Sequence, residues 1–320
     1  MVEFFLSDIK PEDTTIVLEP SIQYGYVRSP LNYIGGKYKL LPQLMPLFPK
    51  KISTFIDLFC GGCNVGINAH AEKIIFNDNL SYLIDLYKTF NTLENGEIIN
   101  HIENRIEEYN LSLTNEHGYK RLRELYNTVR NPLDLFVLVA YSFNHQIRFN
   151  NSHEFNNPFG RERSSFNPRM KSNLHAFLNV LRQKCIAFSC LNFDFFDFST
   201  CTTNDFIYCD PPYLITTGTY NDGKRGFTGW DKWEEKKLLN LLTDLDKKKI
   251  KFGLSNVLRH KGKKNEILKQ WASSNNFFIT HLDKNYSNSN YHTINRDLQA
   301  TDEVLITNYF PIQEQLHIDF

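Results

Sequence analysis

Thr54-Phe55-Ile56-Asp57-Leu58-Phe59-Cys60-Gly61-Gly62 is an apolar run, too short for a helix of its own, that meets paired glycines. It reads as a buried strand ending in a tight turn. Asn64 to Ala71 has the spacing of a helix, and Ile74-Ile75-Phe76-Asn77-Asp78 is a second apolar strand, so the three segments predict a β-α-β unit. A glycine turn directly after a strand lets backbone approach a ligand. An acidic residue at the end of the next strand, roughly 20 positions on, can take ribose hydroxyls, and Asp78 stands there relative to Asp57. Gly61-Gly62-Cys63-Asn64-Val65-Gly66 does not match G-x-G-x-x-G, so the turn points to a nucleoside-like cofactor and not to a dinucleotide. An NAD-dependent dehydrogenase is disfavoured on that ground. For Asp78 alone, a helix N-cap reads equally well.

Outward from this unit the pattern changes. From Tyr82 to about Ala140 the spacing is helical, with charged stretches such as Glu97 to Tyr109 and Tyr119 to Val129. Between Asn144 and Met170 a polar stretch rich in asparagine and arginine, flanked by aromatics, reads as an exposed hairpin or loop. Strand signals return at Ile186 to Phe193, Phe206 to Cys209, Lys251 to Ser255, Phe277 to Leu282 and Glu303 to Thr307. Helical segments lie at Lys232 to Leu245 and Lys264 to Ala272. The alternation predicts an α/β domain with a largely parallel sheet, built from residues 1–84 and 183–320 and interrupted by a mostly helical insertion at 85–182.

The strand Phe206 to Cys209 ends in Asp210-Pro211-Pro212-Tyr213. Two prolines fix φ and carry no N–H, so the Pro211 carbonyl is left outside any ladder. With the Asp210 carboxylate beside it, the turn offers two acceptors aimed at one small region, and Tyr213 adds a flat ring able to stack on a planar ligand. Such a site suits an exocyclic amino group on an aromatic base.

The chain of 320 residues carries 36 lysines and arginines against 36 aspartates and glutamates, so overall charge selects no partner and any basic surface is local. The opening residues lack a basic start, and no segment approaches the roughly 20 apolar residues needed to cross a bilayer, which predicts a soluble cytoplasmic protein. Six cysteines in mostly apolar contexts predict free buried thiols. Cys60 and Cys63 form one C-x-x-C with no second pair, so a glycine turn explains them better than a metal and none is expected.

Taken in order, these elements resemble the DNA adenine-N6 methyltransferases of the Dam type, the D12 class or alpha group, over roughly residues 28 to 310. Asn32-Tyr33-Ile34-Gly35-Gly36-Lys37 is similar to the family's N-terminal cofactor motif, Asp57 to Gly62 to its methionine-binding loop and Asp78 to its ribose ligand. Phe193-Asp194-Phe195 resembles the segment that holds the cofactor's adenine, and Thr301 to Tyr309 the last strands. The resemblance implies a Rossmann-like fold that uses S-adenosylmethionine, with Tyr33, Gly36, Lys37, Asp57, Phe59, Gly61, Gly62, Asp78, Phe193, Asp194, Phe195 and Asp210 at the cofactor and Asp210, Pro211, Pro212 and Tyr213 catalytic. It makes the insertion a DNA-recognition domain whose hairpin enters double-stranded DNA through Asn144, Arg148, Asn156, Pro158, Arg161 and Arg163, with Lys37 also near DNA. Residues 144 to 171 do hold a local surplus of arginine and lysine, and Arg148 and Asn144 have the chemistry for guanine and adenine edges. Two positions depart from the family. Cys63 stands where many relatives carry a third glycine, and Glu162 stands where many GATC-recognising relatives carry an aromatic, which leaves the target sequence open.

The activity so implied is methyl transfer to N6 of a flipped adenine, with Asp210 and the Pro211 carbonyl accepting the amino hydrogens and Tyr213 stacking on the base. Asp210, at an ordinary aspartate pKa, is expected to be ionised. A cytosine-N4 methyltransferase and a DNA-binding protein without catalysis are the alternatives, and a cognate restriction endonuclease is an open partner. Thr216 to Trp230 is expected to be either a lid over the base or a connector. Arg259 to Lys264 reads as a solvated helix start more readily than as a phosphate contact, and Tyr286 to Arg296 has no assigned role.

Overall fold

Strict alternation along the strands decides how the sheet is buried. In the computed structural model, which describes residues 25–216, 229–282 and 301–311, Phe55, Phe206 and Tyr208 point into one apolar layer, and Ile56, Ile207 and Cys209 into another. The strands are β1 Thr54–Asp57, β2 Lys73–Asn77, β3 Ile186–Ser189, β4 Phe206–Cys209, β5 Lys251–His260, β6 Lys263–Lys264, β7 Phe278–Leu282 and β8 Asp302–Thr307. They form one sheet in the order β3-β2-β1-β4-β5-β8-β7, with β6 paired to the end of β5. The first five are parallel, and β8 runs antiparallel between β5 and β7. The protein is therefore a mixed α/β structure with a mostly parallel central sheet.

The helices are α1 Leu41–Leu44, α2 Ser81–Thr92, α3 Asn95–Glu108, α4 Glu116–Val129, α5 Pro132–Tyr141, α6 Pro168–Gln183, α7 Lys232–Lys247 and α8 Glu266–Ser274. Helices α2 to α6 occupy the chain between β2 and β3 and share the first apolar layer with the sheet, whereas α7 and α8 cover the second. α5 is buried from Leu133 to Tyr141 and starts with Asn131 accepting from Leu133 N and Pro132 at its first position. Its buried Asp134 accepts from Arg105 Nε at 2.9 Å, which offsets the cost of placing a carboxylate there. No helix among the described residues is long and apolar enough to cross a membrane.

Three expectations fail locally. Asn64 to Ala71 is not a helix; only a 3-10 turn, Gly66–Asn68, forms. The Asn68 side chain bonds both Val27 N and Val27 O, and Asn64 Oδ1 accepts from Ser29 N, so polar side chains capture a neighbouring strand of chain in place of helical carbonyls. Arg259 to Lys264 is a β-hairpin and not a helix start, because Lys261 and Gly262 both adopt left-handed φ, 47° and 78°, the conformation of a tight two-residue hairpin turn. Of the six cysteines, Cys185 and Cys190 are exposed and Cys201 is half-buried; only Cys60, Cys63 and Cys209 are buried thiols. Most of Thr216 to Trp230, and all of Tyr286 to Arg296, lie outside the described residues.

Gly66 is the tightest point of the β1–β2 connection: a Cβ there would lie 2.4 Å from the Phe76 ring and 2.9 Å from Asp57 Oδ2. Gly66→Ala is expected to cost about 1–3 kcal/mol by overpacking, read as a lower midpoint in urea denaturation with an unchanged slope.

Candidate active site

The strand order reverses between β1 and β4, so the crevice beyond their C-terminal ends is where a sheet of this kind can take a ligand. Asp57 ends β1 and Asp210 follows β4, and both open onto one cavity of ≈ 230 Å³. The glycine turn between them is fixed by carboxylates on both sides. Asp57 Oδ2 accepts from Gly66 N, and Asp78 Oδ2 accepts from Gly61 N, each at 3.0 Å. Asp78 Oδ1 also accepts from Leu80 N just before α2, so this side chain serves the helix start and the cavity together. Gly61 has φ 44°, and a Cβ on it would sit 2.8 Å from the Tyr33 ring, so this close approach of residues 33–37 needs glycine. Cys63, at φ 56° and buried, holds a conformation that glycine adopts without the roughly 1–2 kcal/mol penalty of an L side chain.

A second group of side chains surrounds the catalytic-looking turn. Lys37 is only 3% exposed, and its ammonium lies 2.8 Å from Asp210 Oδ2, 2.8 Å from Gly35 O and 3.5 Å from Glu303 Oε1. Tyr213 donates to Asp210 Oδ1 at 3.0 Å and approaches Glu303 Oε1 at 3.3 Å, while its ring carries Lys37 Nζ 5.1 Å from the centroid. Burial pushes the Asp210 carboxyl above its ordinary range, Lys37 pulls it back, and Glu303 raises it. The expectation of an unperturbed aspartate is thus corrected: its ionisation depends on Lys37. Burial and the two carboxylates hold the Tyr213 phenol well above its usual value.

Carboxylates outnumber cations along the cavity. Asp57, Asp78, Asp210 and Glu234 line it, against Lys37. Burial, with Asp210 and Asp78 adding to it, pushes Asp57 up to about 8 in spite of the Gly66 N–H. The far wall is aromatic: the rings of Phe59, Phe193 and Trp230 lie 5.5 to 5.8 Å apart, and the Trp230 indole donates to buried Glu235 at 2.7 Å.

Tyr33, Gly36, Lys37, Asp57, Phe59, Gly61, Gly62, Asp78, Phe193 and the whole Asp210–Tyr213 turn line this one cavity. Asp194 and Phe195 do not. Phe193–Phe195 is a 3-10 turn beyond the end of β3, which leaves Asp194 paired with Lys237 at 3.0 Å and Phe195 74% exposed. Asn192, one residue before the quoted segment, lines the cavity instead. Sequence reasoning also passed over Trp230 and Glu303. The available signal for Glu303 was a carboxylate opening an otherwise apolar strand, a position that demands a partner.

Of the candidates for nucleic-acid contact, Lys37 is instead buried against Asp210, and the other six sit on the loop between α5 and α6, closed by bridges Ser142–Phe159 and Phe149–Phe155. The loop is tied to the cavity's rim by Asn32 Nδ2, which donates to Asn144 O at 3.0 Å. Arg148 Nε and Asn156 Oδ1 are buried with no partner among the described residues. Arg161 pairs with Glu116 at 2.7 Å, Arg163 stacks over Phe143, and the exposed Pro158 accepts from Phe143 N.

Comparison with known proteins agrees with this geometry. A profile of the family described as D12 class N6 adenine-specific DNA methyltransferase matches residues 33–288. The chain is 54% identical over 285 residues to type II methyltransferase M.FokI of Planomicrobium okeanokoites, covering 89% of this chain and 43% of that protein. It is 53% identical over 284 residues to modification methylase StsI of Streptococcus sanguinis, with the same two coverages. Modification methylase LlaI of Lactococcus lactis subsp. lactis is 35% identical over 287 residues, 88% of this chain and 43% of its own length. The chain thus spans less than half the length of these relatives.

Asp57 keeps its proton up to about pH 8 in the native state, whereas the unfolded chain releases it near 3.8. Its contribution therefore favours the fold fully below that lower value and is lost as pH rises through about 8. Asp57→Asn, which can still accept from Gly66 N, is expected to match the parent's thermal midpoint only near or below pH 3.8, and to exceed it by a margin that grows as pH rises toward about 8. Thermal unfolding of the ligand-free proteins across that range checks this.

Proposed function

The chain belongs to the D12 class N6 adenine-specific DNA methyltransferase family, and on that premise we propose that it methylates N6 of an adenine turned out of duplex DNA, with S-adenosylmethionine as donor. We read it as the modifying member of a restriction-modification system, with a separate endonuclease as partner. In this reading the fold is a Rossmann-like methyltransferase domain, and residues 85–182 form the recognition unit. The observation that carries the proposal is the Lys37–Asp210–Tyr213–Glu303 group, buried at Lys37 and Glu303 and half-buried at Asp210 and Tyr213, beside a cavity rich in acidic side chains.

That donor set fits S-adenosylmethionine. A cavity lined by four acidic side chains against one ammonium, with Asp57 able to ionise once a cation is beside it, favours a ligand carrying an ammonium and a sulfonium, and the aromatic wall suits a purine. Asp57, Gly61, Gly62 and Asp78 would hold the amino-acid and ribose parts, and Phe59, Phe193 and Trp230 the base. When bound, this cofactor supplies an electrophilic methyl group on sulfur.

The chain's own residues must then make an aromatic amine nucleophilic. Asp210 and the Pro211 carbonyl are acceptors for the two amino hydrogens, which draws the nitrogen lone pair out of conjugation with the ring. Each Asp210 oxygen already accepts one hydrogen bond and has capacity for another, so the amine competes with neither Lys37 nor Tyr213. Lys37 keeps the carboxylate charged while it is buried, and the positive charge that grows on nitrogen strengthens the same contact. Tyr213, tied at its hydroxyl, presents a fixed ring beside the acceptors.

Asp210→Ala is expected to abolish methylation while S-adenosylmethionine binding persists. The check is sequencing of modified bases in DNA from a methylation-free host expressing either form. Methyladenine in one short motif, absent with the variant, is the expected result; methylcytosine or no modification would overturn the reading. Glu303→Gln is expected to lower kcat about tenfold or more with KM for S-adenosylmethionine unchanged. Removing its charge lets Asp210 ionise more easily, so the acidic limb of the kcat profile moves to lower pH.

A further inference from the structure

One surface feature lies outside the cavity and outside the α5–α6 loop. β4 ends at Cys209, which is in register with Leu254 of β5, but β5 continues to His260 and turns into β6. Those six further residues carry the hairpin about 20 Å beyond the end of β4, with β8 paired alongside as far as Arg259. From Arg259 to Lys264 the hairpin reads Arg-His-Lys-Gly-Lys-Lys, with no acidic residue. Lys261, Lys263 and Lys264 are exposed, and none forms an ion pair with a described residue.

Among the described residues, two acids lie close to the hairpin in the chain or in the sheet register. Asp302, in register with Arg259, accepts from His281 at 2.7 Å, and Glu266 lies beyond the buried Asn265 in the first turn of α8. Arg259 itself is half-buried, with Nε lacking a partner among the described residues. On a chain with equal numbers of basic and acidic residues, this is a concentrated field of one sign held on a rigid two-stranded support. The left-handed turn at Lys261-Gly262 sets the lysines on both sides of the tip.

We infer that the β5–β6 hairpin is a second DNA contact, in which Lys261, Lys263 and Lys264 grip the phosphate backbone away from the modified base. This rests on the reading of the chain as a DNA methyltransferase. A duplex presents one charge per about 1.7 Å of axis, and its major groove is about 12 Å wide. A reach of about 20 Å from the catalytic turn therefore meets backbone phosphates of the same duplex whose base occupies the cleft. The contact is with phosphate and reads no sequence.

The test compares the parent chain with the Lys261→Gln, Lys263→Gln, Lys264→Gln triple variant, using anisotropy of a labelled mixed-sequence duplex over a salt series. Each lost phosphate contact removes about 0.9 from the slope of log affinity against log salt, so the variant's slope is expected to be shallower by about 2 to 3. Its weakening should be equal on methylatable and unmethylatable duplexes, with S-adenosylmethionine binding and thermal midpoint unchanged. Lys263→Glu alone should weaken binding more than Lys263→Gln. Identical slopes for parent and triple variant would overturn the inference while leaving the methyltransferase reading in place. A parent chain that binds no duplex at any salt would overturn both.

Discussion

A single buried ammonium joins three parts of this chain that are far apart in sequence. Lys37 holds the turn at Gly35, the end of β4 at Asp210 and the start of β8 at Glu303. Burying one cation with two carboxylates is expensive, and such a group is weak evidence for stability, since apolar replacements often do as well. Removing one member is another matter, because the charge left behind costs about 3–5 kcal/mol. The arrangement makes sense as preorganisation. Asp210 is aimed and kept charged before any substrate arrives, and Tyr213 is locked by the same two carboxylates.

The other half of the cavity has the opposite imbalance. Around the Gly61-Gly62 turn the carboxylates of Asp57 and Asp78 are satisfied by backbone N–H groups, yet burial raises both. A carboxyl that holds its proton to about pH 8 would lose it to solvent when a cation is placed beside it, because the positive charge lowers its pKa. The same desolvation that weakens the empty protein in alkali would, in the proposed complex, strengthen the attraction of the ionised carboxylate for a positive group, so stability and affinity would be traded at one residue.

The sheet was legible because its strands alternate or run apolar between clear breakers, and the glycine turn, Asp78 and the proline turn each follow a strand end. What failed did so where side chains compete with local periodicity. Asn64 and Asn68 spend their amides on a distant segment, which no local pattern reveals. Asp194 looked like a strand-end ligand, but the 3-10 turn at Phe193–Phe195 rotates it to Lys237 and leaves Asn192 facing the cavity. Glu303 signalled only that it needed a partner, and not which, because Lys37 and Tyr213 are far from it in sequence and are brought to it by the fold.

That order also explains why both functional surfaces lie on one edge. Reversal of the strand order between the parallel strands β1 and β4 opens a crevice at their C-terminal ends, so the carboxylates of Asp57 and Asp210 are gathered there. β5, next to β4, continues past the end of β4, where it is paired by β8 from Leu305 to Asp302 and then by β6. A strand that extends past its parallel neighbour would ordinarily expose an unpaired edge; the short antiparallel β6 closes it and carries lysines outward. The extension of β5 thus places a basic tip at a distance from Asp210 fixed by the strand ladder, so that in the proposed complex a duplex would meet both at once.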